Sequence, residues 1–457
     1  MIKSKNLTTC LLMLVAMLFA ACSNSQKPKD ITLTFDVKNP TASEVVLVYN
    51  RTINPVALDK QGHASYTLKG RDALYASLFY GQEQKLIYME KGDQAKISFD
   101  GNNFSHTFKW EGNKAAAIDY LNNVSLSRVE DDAYALPMKE FAQKVEDKEQ
   151  GSLKLLKAAK LNNAGNFEKM EEGRIKYAYA SSLLMYPVGH VFATQDTAYR
   201  PDEAYFDLIR KYFVEDADWA DIQEYRDFMT EAAHQLDAPN RDLKEMYPKC
   251  VAEMRYIADH IQNDKVKQML LNEIAGNYIV QFGIKNITDM ESLYHTYVKD
   301  SVLVADYQTK YDAWDLSSPG KPSPEIDAVD IKGNKHTLKE FQGNYVYIDL
   351  WATWCGPCKQ ELPHLKALAK KMEGKHIVFL GLSIDQDKAK WEEEVKKGEL
   401  PGTQLYIGHR SAFQQAYGID GIPRFILLDR EGKIVNNNMT RPSSEDTEKI
   451  LSALDGI

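Results

Sequence analysis

Cysteine is scarce in this sequence, with five residues in 457. That is too few for a disulfide-stapled scaffold, so each cysteine has to be read by its own surroundings. Cys10 and Cys22 lie near the start, Cys250 stands alone in the middle, and Cys355 and Cys358 are two residues apart. Basic excess is also missing: the formal net charge is −9, which leaves no electrostatic footprint for nucleic acid and points to proteins or small molecules as partners. There is no second C-x-x-C and no H-x-x-x-H, so a tetrahedral zinc site would lack half its ligands, and no metal or cofactor is expected. No repeat of 20 to 50 residues stands out, so no solenoid is expected. What remains, 44% hydrophobic and 26% charged, is the balance of a globular chain, long enough for two or three domains.

At the N-terminus, Lys3 and Lys5 precede an uncharged apolar run, Leu11 to Ala21. The run is short for a membrane span and suits the h-region of a signal peptide. It ends in Leu18-Phe19-Ala20-Ala21-Cys22 and is followed by a polar stretch. Small residues just before a cysteine resemble the lipobox of bacterial lipoproteins, although Phe19 stands where leucine is commonest. The resemblance implies residues 1–22 as a lipoprotein signal, with Cys22 acylated and a membrane held through the lipid. The other reading is ordinary cleavage after Ala21. Export would put the C-x-x-C pair in a periplasm-facing part of the cell envelope, where disulfides persist.

Residues 30–112 read as short strands. Ile31, Leu33, Phe35 and Val37 alternate with polar residues, and Gln61-Gly62 and Lys91-Gly92-Asp93 supply turns, so an all-β sandwich-like domain is expected. The stretch Tyr88 to Phe99 resembles a β-domain of unknown function found before thioredoxin domains in Bacteroides-type lipoproteins. From 113 to 316 the apolar spacing turns helical, giving an all-α middle region. Leu271, Ile274, Ala275, Tyr278 and Phe282 form one face of a helix starting near Asn263 or Asp264 and stopping at Gly283. The tyrosines of this region read as core packing rather than a peptide groove, and Cys250 as a small buried hydrophobe. Residues 317–324, with three prolines and a glycine, form a linker.

Residues 325–457 alternate strand and helix patterns, as an α/β domain does. A buried-strand run, Tyr345 to Trp351, leads into Ala352-Thr353-Trp354-Cys355-Gly356-Pro357-Cys358 and an amphipathic helix, and Gly421-Ile422-Pro423 precedes a later strand. These residues resemble the thioredoxin superfamily, and more closely its TlpA/ResA-like branch of envelope-tethered oxidoreductases. The resemblance implies a thioredoxin-like fold and a thiol–disulfide oxidoreductase acting on disulfide-containing exported proteins and recharged by a membrane thiol electron donor. By the same resemblance Pro423 is a cis proline facing the two sulfurs, Ile422 presents its backbone to a bound substrate strand, and Trp354 covers the site.

The chemistry of the motif is consistent with this. Cys355 at a helix start gains from unpaired N–H groups and the helix dipole, which favour a thiolate. It is expected to be the more exposed cysteine and the first to attack, with Cys358 resolving the mixed disulfide. Asp349, six residues before Cys355, stands where thioredoxin carries a buried acid that accepts the resolving cysteine's proton. The lysine that would partner such an acid is absent, because Gly381 falls in its place. Lys359 and Glu361 read as solvated helix residues. A thiol peroxidase and a ligand-binding lipoprotein with an accessory redox domain are the alternatives. The former is disfavoured because Ala352 stands where peroxiredoxins place threonine.

Overall fold

The period-2 pattern at the N-terminus is carried by real burial: along β1 (Ile31–Lys38) every second side chain, Ile31, Leu33, Phe35 and Val37, is inside. The computed structural model of the chain describes residues 30–457 except Arg51, Arg410 and Asp420, so Cys22 and the leader lie outside the described residues. The first sheet has the order β4 (His63–Leu68), β1, β7 (Gln94–Asp100), β8 (Lys109–Gly112). The second has the order β3 (Thr52–Ala57), β2 (Glu44–Tyr49), β5 (Ala73–Tyr80), β6 (Glu83–Glu90). Inward rings join the sheets, as where Tyr80 meets Phe99 at 4.9 Å between centroids. Strand β3 had no sequence signal because Pro55 interrupts it, and a proline is tolerated there only because β3 is the outermost strand.

The helices are α1 (Phe104–Thr107), α2 (Ala115–Asn123), α3 (Met138–Ala158), α4 (Phe167–Thr194), α5 (Glu203–Tyr212), α6 (Gln223–Leu236), α7 (Met246–His260), α8 (Asp264–Phe282), α9 (Thr288–Tyr297) and α10 (Ser301–Leu316). The chain forms two compact units, Met1–Ala232 and Ala233–Ile457, and their boundary falls inside α6. The helical stretch is therefore shared, with α7–α10 in the same unit as the C-terminal α/β domain. Helix α8 has the ends expected of it: Asn263 Oδ1 accepts from Val266 N at 3.2 Å, and Gly283 follows in a positive-φ conformation. Its Leu271, Ile274 and Ala275 are buried, but Phe282, expected on that buried face, is half exposed at the helix end. Tyr177, Tyr179, Tyr205, Tyr212 and Tyr225 are core residues, and Cys250 is a buried free thiol pushed up to about 12, by desolvation first and by Glu253 second. No described helix is long and apolar enough to cross a membrane.

The C-terminal domain is a seven-stranded sheet of order β10 (Lys335–His336), β9 (Ala328–Val329), β13 (Thr403–Tyr406), β12 (Ile377–Ser383), β11 (Tyr345–Trp351), β14 (Arg424–Leu428), β15 (Ile434–Asn436). Strands β11, β12 and β13 are parallel, and β14 runs against β11. Its helices are α11 (Gly356–Lys371), α12 (Lys388–Lys396), α13 (Ala412–Ala416) and α14 (Glu445–Ser452). One face buries Ile348, Leu350, Leu382, Trp391 and Phe413, and the other Tyr347, Leu365, Leu368, Phe379 and Leu451. Both faces of the central strands are covered, which explains why β11 and β12 read as nearly continuous apolar runs.

The segment 317–324 follows the end of α10 and is irregular, as its prolines require. It is not a loose tether. Gly320 N donates to Ile434 O at 2.7 Å, Ile434 N to Lys321 O at 2.8 Å, and Ser323 N to Gly432 O at 3.0 Å, so it runs along β15. Just before it, the ring of Trp314 lies under the Arg424 guanidinium at 5.5 Å.

Candidate active site

Strand β11 delivers the chain to the site. After Trp351 the backbone turns, with Cys355 N donating to Ala352 O at 3.0 Å, and α11 begins. Cys355 is its N-cap, in an extended conformation, and Cys355 Sγ accepts from Cys358 N at 3.1 Å. Pro357 sits in the first turn, where a missing N–H costs nothing. Cys355 and Cys358 are joined by a disulfide, with their Cα atoms 5.3 Å apart. One sulfur is thus held by a helix-terminal amide, the geometry that stabilises a thiolate once the bond is reduced.

The expected difference in exposure is not found. Cys355 is 3% and Cys358 8% exposed, so both are buried and Cys355 is no more open than its partner. As the N-cap residue, Cys355 turns its sulfur onto the Cys358 amide in the first turn of the helix and packs into the core cluster that also holds Trp351 and Ala352. The exposed surface of the motif is Gly356 and Pro357, together with Trp354 at 56%.

The Ile422–Pro423 peptide is cis. The next residue, Arg424, pairs with Leu350, so the antiparallel register sets Pro423 beside the end of β11 from which Cys355 is launched. Ile422 packs on the core cluster that contains both cysteines. Residues 355, 358, 422 and 423 are thereby brought to one end of the sheet, although 64 or more positions separate the two pairs in sequence.

Asp349 lies on the opposite sheet face from Ile348 and Leu350, with Tyr347 and the α11 side of the domain. Its Oδ1 is sealed from solvent and has no hydrogen-bond partner. Burial, and then the charge of Glu361, push its carboxyl up to about 7. Glu361 is not the solvated residue its sequence position implies. It is 7% exposed, and accepts from Ser443 N at 2.9 Å and Ser443 Oγ at 2.8 Å. A charged residue on an amphipathic helix reads as solvated, but Ser443, in the loop before α14, closes over this one. Lys359 is exposed.

A second buried acid had no sequence signal at all. Asp385, beyond the end of β12, accepts from Thr353 N at 3.0 Å, from Thr353 Oγ1 at 2.6 Å and from Ser383 Oγ at 2.8 Å. It fixes the loop that carries Trp354 and Cys355. Its main partner is 32 residues away, and only the sheet order makes them neighbours. Among the described residues no group of three or more His, Cys, Asp or Glu side chains could hold a metal ion.

Comparison with known proteins agrees with this geometry. Residues 318–454 match the Redoxin family. The thiol-disulfide oxidoreductase ResA of Bacillus thuringiensis subsp. konkukian is 28% identical over 152 residues, 33% of this chain and 86% of that protein. A solved thiol-disulfide oxidoreductase from Bacteroides fragilis is 30% identical, covering 29% of this chain and 99% of its own, with a TM-score of 0.27. A Bacteroides vulgatus protein proposed to have the same activity is 40% identical over 30% of this chain and 97% of its own, with a TM-score of 0.28. With its Cys355–Cys358 disulfide at the head of a helix and these relatives along the same stretch, the chain is a member, through its C-terminal domain, of the TlpA/ResA-like thiol–disulfide oxidoreductases of the thioredoxin superfamily.

Proposed function

We propose that this oxidoreductase reduces or exchanges disulfides of exported proteins with its Cys355–Cys358 dithiol, while tethered through Cys22 to the periplasm-facing side of a membrane. The observation that carries the reading is the disulfide at the head of α11, with Cys355 Sγ on the Cys358 amide. In the reduced protein the Cys355 thiolate attacks one sulfur of a client disulfide. That S–S bond breaks, and the client's other sulfur leaves as a thiolate that takes up a proton. Cys358 then gives its proton to Asp349 and attacks Cys355 Sγ, which breaks the mixed disulfide and closes the Cys355–Cys358 disulfide. The second client sulfur is expelled as a thiolate that takes up a proton in turn, while Asp349 returns its own to solvent. Two electrons have passed to the client, and a membrane thiol donor returns them to the enzyme. Pro423 and Ile422 bound the place where the client strand lies, and Trp354 is the exposed aromatic beside it.

Gly-Pro between the cysteines is the dipeptide of thioredoxin, whose potential near about −270 mV is reducing. A Cys358→Ala protein should accumulate mixed disulfides with envelope proteins through Cys355, visible as bands that collapse on reduction. A trap that captures nothing, in a protein whose Cys355 still alkylates, would remove the client reading. Anchoring is tested separately: Cys22→Ser should move the protein from the detergent phase to the aqueous phase or leave it unprocessed. Unchanged partitioning would end the lipobox assignment.

A further inference from the structure

Two buried polar atoms of the C-terminal domain lack any hydrogen-bond partner and lie in one row of its sheet. They are Asp349 Oδ1 and Gln404 Oε1. Asp349 on β11 is paired with Gly381 on β12, and Gly381 with Gln404 on β13, so the three residues stand side by side on one face. The Gln404 side chain does not extend away from the sheet. It lies over Gly381, so closely that a Cβ at that position would stand 2.2 Å from Gln404 Oε1. Nε2 is committed to Pro401 O at 2.7 Å, so the carbonyl end of the amide is the uncommitted one. Strands are about 4.8 Å apart, so an amide above Gly381 has already crossed one of the two spacings that separate it from Asp349. A carboxyl turned toward β12 would meet that amide over Gly381.

We propose that Gln404 is the positioning residue for the internal acid, its Oε1 accepting the O–H of Asp349 after the carboxyl has taken the proton of Cys358. The proposal rests on the assignment of Asp349 as the resolving base. Gly381 is then required as the empty place that lets a neutral amide reach across from the next strand, where a lysine at that position would have supplied a charge. An acceptor aimed at the acid favours its protonated form, and an orphaned carbonyl oxygen gains its partner only when Asp349 is neutral. The other titratable groups facing Asp349 are Glu361 on α11 and Tyr347 on its own strand, while β12 and β14 offer Gly381 and Phe425.

The test is a carboxyl titration of the oxidised full-length protein, in which neither sulfur of the pair ionises. Aspartate carboxyl carbons are followed by NMR and Asp349 is assigned by its loss in Asp349→Asn. In the parent protein the Gln404 side-chain amide should shift with the same midpoint as Asp349. Gln404→Met removes the acceptor at similar length and should lower the Asp349 midpoint by about half a pH unit to one unit. Gln404→Lys should lower it by more than one unit, which keeps the test open if the Met variant does not fold. An unchanged or raised midpoint in both variants, or an amide that ignores the titration, would overturn the assignment. Because no turnover is measured, such a result leaves the reductase reading standing. Conversely, a parent protein that reduces no disulfide refutes that reading and leaves the titration untouched.

Discussion

Cys355→Ser is expected to lose disulfide reduction by at least about a thousandfold, whereas Cys358→Ser should keep the first attack and stall at the mixed disulfide. The asymmetry follows from position. Cys355 is the N-cap whose sulfur receives a helix amide, and a serine hydroxyl there has no accessible anion at neutral pH. Cys358, one turn inside, has only to reach a sulfur already covalently held 5.3 Å away between Cα atoms. Both sulfurs are buried in the oxidised form, so alkylation should be measured after reduction, with Cys355 the faster thiol near pH 7. Full reductase activity in Cys355→Ser would overturn the mechanism.

Asp349→Asn is expected to make the protein more stable and its resolving step slower. The carboxyl is raised from the usual carboxylate range to about 7 by burial and by Glu361. Below about pH 4 the acid is protonated in both the folded and the unfolded chain, and its ionisation costs nothing. Between there and pH 7 the unfolded chain has released a proton that the folded chain still holds, so stability falls as pH rises through that window. Above 7 the folded protein carries an ionised buried acid at the full cost. Asparagine does not ionise, so the gain should grow from pH 4 to 7 and then level, with an upper limit on the order of 4 kcal/mol. Denaturant melts of the two oxidised proteins across that range check it. In stopped-flow exchange, resolution by the parent should slow below pH 7, while that of Asp349→Asn is slow throughout. Equal slowing of attack and resolution would return Asp349 to a structural role.

Much of this was legible because it is local. The strand alternation of Ile31 to Val37, the Asn263 cap and Gly283 stop of α8, and the Trp-Cys-Gly-Pro-Cys turn each lie within one element, where spacing alone fixes which way a side chain faces. What was missed depends on neighbours distant in sequence. Glu361 reads as a surface residue until Ser443 closes over it, and Asp385 reads as a loop aspartate until Thr353 is set beside it by the pairing of β11 with β12. Gly381 shows the same limit from the other side. Its lack of a side chain was visible as a missing lysine, but the amide that fills the space belongs to β13. Exposure was misjudged at Cys355 because a helix-capping sulfur points into the first turn rather than outward.

The segment between α10 and β9 also has a bearing on the outer edge of the redox domain's sheet. Strand β15 ends the sheet, and a terminal strand with free backbone groups is a template for edge-to-edge aggregation. Here that edge is occupied: Gly320, Lys321 and Ser323 take up the Ile434 and Gly432 positions, and Pro322, which has no N–H to offer, faces Lys433 across an isolated bridge. Prolines on the outer side of this added pairing cannot recruit a further strand. The stretch that reads as a spacer is therefore a gatekeeper, and a redox domain trimmed to begin at Glu325 would leave that edge of its sheet unprotected.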